Sequence, residues 1–325
     1  MSPPIDWLSR LLDMLHVRGR VDLRCLYGAP WRIVQPAAAA GEIPYHVVLS
    51  GSAVLESPDG GPRTHLAAGD ILLLPGGGAH VLHDGSGAPG APARNRAVLN
   101  LTISENDGTG DRLDMLCGHF VLTARHDRLL REYLPRRLVV RARGPAAAPS
   151  TICEPLAGLV SLMRTESADE RVGGHAMLNA LSTALFALTL RLASDAGQGP
   201  SGLLALANHP RLAPAVEAMF HEPGRPWTLP DLARLCGMSR ATAARQFEQT
   251  LGRSASDLLT DIRMTVAARE LKNTSASTAA VAAAVGYQSE AAFQRIFKQR
   301  MGVTPARWRR EARSSGPRRA ADASR

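Results

Sequence analysis

Near the C-terminal end of the chain an apolar run, Val281, Ala282, Ala283, Ala284 and Val285, stops at Gly286, and apolar residues return at Phe293, Ile296, Phe297 and Met301. The i, i+3, i+4, i+8 spacing lays one buried stripe along a helix, and Glu290, Gln294, Arg295 and Lys298 fall on the remaining surface. Gly286 can supply the positive φ that ends the first helix, and Ser289 can cap the second. Gly302 and Pro305 stop that second helix. The pattern predicts two helices joined by a tight turn, with an apolar back and a polar front.

Residues 232–252 repeat it. Gly237, Ser239, Arg245, Phe247 and Gly252 stand as turn, cap, basic residue, buried aromatic and stop. Phe247 and Gly252 match Phe297 and Gly302, whereas Ala233 and Gly237 match Ala282 and Gly286 after a one-residue slip in the turn. Such doubling marks one supersecondary unit used twice, and a helix-turn-helix requires this division into a held back and a free front. A helix over 255–271 joins the two units.

Upstream the period changes. Trp7, Leu8, Leu11, Leu12 and Leu15 keep helical spacing, so a short amphipathic helix is expected over 7–17, packed on the β-rich segment after it. Short apolar runs at 23–27, 31–34, 45–49, 53–56, 71–74 and 97–103 are then separated by Gly, Pro and Asp, the layout of a sandwich or small barrel. Residues 86–92 read as a loop and 144–149 as a Pro/Ala linker. Apolar helices are expected at 156–163 and 177–192, followed by a Gly/Ser/Gln linker over 194–202. No run reads as approaching the ~18–20 apolar residues of a membrane span, and the N-terminus lacks the basic and apolar regions of a signal peptide. The expected compartment is the cytoplasm, with no membrane partner.

Charge sharpens this division. From Leu204 onward there are 19 Lys+Arg against 10 Asp+Glu, and before it 19 against 19, so the formal +9 of the 325-residue chain lies wholly in the C-terminal part. A polyanion-binding domain attached to a neutral one gives that distribution. The four cysteines, Cys25, Cys117, Cys153 and Cys236, form no CxxC pair and no dense disulfide framework, which fits a reducing compartment. Cys153 and Cys236 read as structural.

Val285-Gly286-Tyr287-Gln288-Ser289, with Phe293, Arg295, Phe297, Lys298, Gly302, Thr304 and Pro305, resembles the AraC/XylS family of bacterial transcription regulators. That resemblance implies an α+β protein: an N-terminal cupin-like β-barrel followed by helices, and an all-α C-terminal domain with two helix-turn-helix units. The expected divisions are a sensor domain over 1–145, a helical dimerisation segment over 150–195, a linker over 196–203, a DNA-binding domain over 204–310 and a disordered basic tail over 311–325. The implied partners are double-stranded promoter DNA, a second copy of the chain, RNA polymerase and an unknown effector, and the sign of regulation stays open between activator and repressor. A recognition helix offers the groove its exposed N-terminal positions. These are Arg240, Ala241, Ala244 and Arg245 in the first unit, and Glu290, Ala291, Gln294 and Arg295 in the second. Arg245 and Arg295 match the family's base-reading or phosphate-clamping Arg; for each charged residue the plain alternative is a solvated helix face.

Gly69-Asp70, the apolar run to Leu74, Pro75-Gly76 and His80 resemble the second cupin motif, and His46 stands where the first motif places a metal-binding histidine. Position 48 is Val where a metal cupin has a second His, and no Glu follows closely, so the resemblance implies a sensor rather than an enzyme. Cys25, His46, His80 and Cys117 can reach one barrel cavity. Three readings stand for them: a soft-metal site such as tetrahedral zinc, a thiol pair that oxidises, as in thiol-based oxidant sensors among cupin-type AraC regulators, or inert buried cysteines beside hydrogen-bonded histidines. The competing functions are a cupin metalloenzyme fused to a DNA-binding module and a DNA-binding dimer that needs no effector.

Overall fold

The computed structural model describes residues 6–56, 60–122, 128–141, 153–195 and 202–314. The chain forms two compact units, His16–Asn208 and, separately, Met1–Leu15 together with His209–Arg325. The expected linker residues 144–149 and 196–201 lie outside the described residues.

In the chain order, α1 (Trp7–Leu15) precedes the strands β1 (Val17–Gly28), β2 (Arg32–Gln35), β3 (Glu42–Ser50), β4 (Ser52–Glu56), β5 (Thr64–Ala67), β6 (Ile71–Leu73), β7 (His80–His83), β8 (Ala93–Ala97), β9 (Thr102–Asn106) and β10 (Arg112–Leu122). Then come α2 (Arg128–Tyr133), β11 (Leu138–Val140), α3 (Cys153–Ala168), α4 (Gly174–Asp195) and α5 (Leu203–Ala207). The strands form a seven-stranded sheet ordered β11-β6-β3-β10-β1-β9-β8 and a four-stranded sheet ordered β2-β7-β4-β5. Cys25, Val48, Leu55, Leu72, Leu82 and Met115 belong to one buried cluster formed by both sheets. The other face of the large sheet carries Tyr45, which stacks on Phe120 at 4.5 Å, and Phe120 meets Phe186 of α4 at 4.7 Å. Strands covered on both faces lose the clean two-residue alternation, and β3 accordingly buries Tyr45 to Leu49 without a break.

Several elements here differ from the sequence reading. The expected strand at 97–103 is mostly the turn between β8 and β9: residues 98–101 are closed by the Val98 N–H donating to Leu101 O at 3.0 Å. The buried Asn100 holds that turn: its Nδ2 donates to Asp169 O at 2.9 Å and its Oδ1 accepts from the His175 N–H at 3.1 Å. β1 starts at Val17, since His16 takes φ 47° and breaks the helix expected to run through 17. Helix α4, 22 residues, is long and apolar enough by length and composition to cross a membrane, although the sequence reading found no such run. Here it lies on the large sheet, where Thr183 Oγ1 accepts from the Gly19 N–H at 2.8 Å, Asn179 Oδ1 from the Val21 N–H at 3.2 Å, and Ser182 Oγ donates to Tyr45 Oη at 2.8 Å.

The second unit is helical: α6 (Ala213–His221), α7 (Leu229–Leu235), α8 (Arg240–Leu251), α9 (Ala255–Asn273), α10 (Thr278–Ala284), α11 (Glu290–Met301) and α12 (Pro305–Ser314). Helix α1 joins it. Its stripe of Leu11, Met14 and Leu15 is buried against α6 and α9, Trp7 lies 6.0 Å from Phe220, and the Trp7 N–H donates to Glu217 Oε2 at 3.3 Å. The expectation that this helix packs on the strands after it therefore does not hold; an amphipathic period states that a face is buried, and not against what. Helix α5 packs with α4, so this second unit opens at His209 rather than 204. Helix α12 continues to Ser314, past the position 311 where a tail was expected to begin; residues 315–325 lie outside the described residues.

Candidate nucleic-acid interface and thiol site

Both helix-turn-helix units form as their residue types dictate. Ser239 Oγ accepts from the Thr242 N–H and Ser289 Oγ from the Ala292 N–H, so each recognition helix starts on a side-chain cap. Gly252 and Gly302 end them in the left-handed region, at φ 74° and 77°. Phe247 and Phe297 are fully buried beneath them. The opposite face carries Arg240, Ala241, Ala244 and Arg245 on α8 and Glu290, Ala291, Gln294 and Arg295 on α11, all eight exposed. The structure places each of these residues on a free helix front, as the spacing predicts.

What holds the two units together was not visible in the sequence. Arg263 of α9 donates through Nε to Pro223 O and through Nη2 to Arg225 O, both at 2.7 Å, and its guanidinium lies 5.8 Å from the Tyr287 ring. The Pro223–Arg225 loop precedes the first unit and Tyr287 lies in the turn of the second, so one side chain on the joining helix touches both. Arg300 of α11 reaches back to the same helix, pairing with Asp257 at 2.7 Å and with the buried Asp261 at 3.4 Å. The hydrogen bond from Ser254 and then the Arg300 guanidinium hold the Asp257 carboxyl below the usual range. No sequence signal separated Arg263 or Arg300 from the many other arginines.

In the β unit the four chemically distinctive side chains meet. Cys117 of β10 stands opposite His46 of β3 in register, Cys25 lies on β1 at the other flank of β10, and His80 opens β7 in the other sheet. Cys25 Sγ is 3.8 Å from Cys117 Sγ, Cys117 Sγ 3.1 Å from His46 Nδ1, His46 Nε2 2.9 Å from His80 Nε2, and His80 Nδ1 3.1 Å from Gly78 O. The last partner fixes every proton in the line. A carbonyl only accepts, so His80 Nδ1 carries hydrogen, and a neutral His80 accepts at Nε2. His46 therefore donates from Nε2 and accepts at Nδ1. The Cys117 thiol donates to that nitrogen, and the Cys25 thiol donates to Cys117 Sγ. Burial supports this neutral state: it brings His46 down to about 3 and also lowers His80. The hydrogen bond with Cys25, then burial, pushes the Cys117 thiol well up, so at rest it is protonated.

A cleft of about 520 Å³ opens onto this line, with His46, His80 and Cys117 in its wall and Cys25 behind them. Its rim includes Asp22, which is the extra residue of a bulge in β1 between Val21 and Leu23. Asp22 Oδ2 is 2.5 Å from His119 Nδ1, and that hydrogen bond raises the His119 pKa. His119 and Asp22 were not singled out from the sequence; a bulge has no local signature there.

The arrangement does not fit a four-ligand ion. Zinc needs ligands converging at about 2.0–2.3 Å. His46 instead turns one ring nitrogen to Cys117 and the other to His80, so one ion can use only one end of it. Among the described residues no group of three or more His, Cys, Asp or Glu is arranged to hold a metal. Cys236 is buried at the C-cap of α7, and the Cys153 side chain lies outside the described residues.

Comparison with known proteins agrees with both halves. A cupin family model matches residues 6–195, and a helix-turn-helix domain model matches residues 232–311. An HTH-type transcriptional regulator of Haemophilus influenzae is 30% identical over 94% of this chain and 99% of its own length. The RCS-specific HTH-type transcriptional activator RclR of Escherichia coli is 27% identical over 96% of this chain and 100% of its own. Among solved structures, the DNA-binding domain of AdpA in complex with a target DNA is 29% identical, covers 34% of this chain and 99% of that one, and has a TM-score of 0.32. With a cupin fold preceding two capped helix-turn-helix units, and with full-length regulators as relatives, the chain belongs to the AraC-type family of DNA-binding transcriptional regulators.

Proposed function

We propose that the cupin unit is the sensor of this regulator and that it answers a two-electron oxidant at Cys117. The observation that carries the reading is the line from Cys25 to His80, with Cys117 in the wall of an open cleft and a second thiol 3.8 Å behind it. For hydrogen peroxide, Cys117 sulfur attacks one oxygen: the S–O bond forms, the O–O bond breaks, and water leaves with the thiol proton. Cys25 sulfur then attacks Cys117 sulfur: the S–S bond forms, the S–O bond breaks, and a second water leaves with the Cys25 proton. Two thiols are oxidised and one peroxide is reduced to two waters. Hypochlorite, a second two-electron oxidant of thiols, makes a second arm of the test.

The test measures binding of the full-length reduced protein to its own promoter DNA, with thiol titration, before and after peroxide or hypochlorite. Wild type is expected to lose two thiols and change affinity. Cys117→Ser should not respond, and Cys25→Ser should stop at a sulfenic acid that dimedone traps. If both variants respond as wild type does, the thiol reading is wrong.

The unit is proposed to signal and not to turn over substrate, since Val48 replaces a metal ligand. We also infer a homodimer paired through α3 and α4, which carry Leu162 and Met177, each 49% exposed. It acts on promoter DNA in the cytoplasm, beside RNA polymerase, through the exposed fronts of α8 and α11. Sedimentation of the full-length protein, with Leu162→Glu and Met177→Glu as the dissociating variants, tests the pairing.

A further inference from the structure

Glu290 and Gln294 stand one helical turn apart at the exposed start of α11, and Gln294 Nε2 donates to Glu290 Oε1 at 2.9 Å. A carboxylate only accepts, so the bond can form with one end of the amide alone, and the Gln294 side chain is set with its NH₂ toward Glu290. One N–H and the carbonyl Oε1 remain free. A donor beside an acceptor is the complement of adenine's major-groove edge, which offers N7 as acceptor and the N6 amine as donor.

Guanine presents two acceptors, N7 and O6, on that edge. Gln294 Oε1 would face O6 with no hydrogen between them, and the Glu290 carboxylate adds negative charge on the same side. A phosphate oxygen at this position would meet the same charge. Ala291, the intervening exposed residue, has only a methyl group and leaves the approach open. The first recognition helix has nothing equivalent, since its corresponding exposed positions are Arg240, Ala241, Ala244 and Arg245.

We propose that the second helix-turn-helix reads an adenine through Gln294, and that Glu290 is the positioning residue that orients the amide and excludes guanine. The base pair is therefore specified by two residues, of which only one touches it.

The experiment selects binding sites from a randomised duplex library with the full-length protein and its variants, and then measures affinity for the selected site and its single-base changes. In wild type, one position should prefer adenine, and replacing it by guanine should weaken binding roughly 5- to 150-fold, the range for one bidentate contact. Gln294→Ala should flatten that position alone. Glu290→Ala should narrow the adenine-to-guanine ratio at the same position while leaving the other positions unchanged. Glu290→Gln, which keeps an oxygen acceptor, should restore part of the ratio. A uniform loss across all sequences with Gln294→Ala, or a flattened position whose wild-type preference is not adenine, overturns the proposal. So does an adenine-to-guanine ratio that Glu290→Ala leaves intact.

Discussion

The two helix-turn-helix units share a frame and differ in almost everything mounted on it. Both recognition helices start at a serine cap, bury a phenylalanine and end at a left-handed glycine. Their turns already diverge: Gly237 is followed by one residue before its cap, Gly286 by two, and a Cβ at Gly237 would meet nothing within 4 Å whereas one at Gly286 would run into Gly224 O. Beneath α11 lies an aromatic series, Tyr287 to Phe293 at 5.7 Å, Phe293 to Phe297 at 5.5 Å and Phe297 to Trp308 at 6.0 Å. Among the described residues no such series continues from Phe247 beneath α8. On the exposed fronts, the first unit presents arginines and alanines and the second an acidic-amide pair and one arginine. Local backbone rules fix the frame, and the free positions are left to specify DNA.

The shared part of the comparison predicts equal losses. Phe247→Ala and Phe297→Ala each remove a fully buried ring, and each should cost about 3–5 kcal/mol in denaturant unfolding of the helical unit. A loss under 1 kcal/mol at either would show that its unit does not depend on that core. The turn glycines should split. Gly237→Ala forces a left-handed alanine, at about 1–2 kcal/mol, whereas Gly286→Ala adds a backbone collision worth a further 1–3 kcal/mol. Equal melting shifts for the two variants would remove this asymmetry.

On DNA, Arg295→Ala and Arg245→Ala are each expected to weaken binding to the selected site by about 1–3 kcal/mol where the arginine reads a base. Gel-shift titrations on cognate and random duplexes distinguish base reading from phosphate contact, because a phosphate contact lowers both alike and reduces the salt slope by about 1. The smallest effect belongs to the caps. Ser239→Ala and Ser289→Ala should each destabilise by about 0.5–2 kcal/mol, with little change in sequence preference at constant folded fraction.

Much of the helical unit could be read from the chain because its signals are local. Glycine with positive φ, a serine oxygen over the next turn and a phenylalanine at helical spacing act within a few residues, so the doubled pattern located both units and their exposed fronts. The barrel was legible only as a class. Strands β5, β7 and β11 were not read, and the span 97–103 was taken as strand because the Asn100 bonds that turn the chain there come from α4 and the segment before it. His46 and His80 were found through motif resemblance, and Cys25 and Cys117 because cysteine is scarce in this sequence; the bulge that brings Asp22 to His119 offered no sequence cue.

The sequence by itself determined that a basic domain with two capped helix-turn-helix units follows a neutral β-rich one, since charge, caps and periodicity are properties of neighbouring residues. Only the tertiary structure decided which distant groups meet. It sent the amphipathic helix α1 to α6 and α9, and placed α4, apolar enough to cross a membrane, against a sheet. It also arranged two thiols and two imidazoles as a line rather than a cage. The reason is the same in each case. A period or a residue type states what a side chain needs, and the partner that meets the need is chosen by strand register and packing across tens of residues.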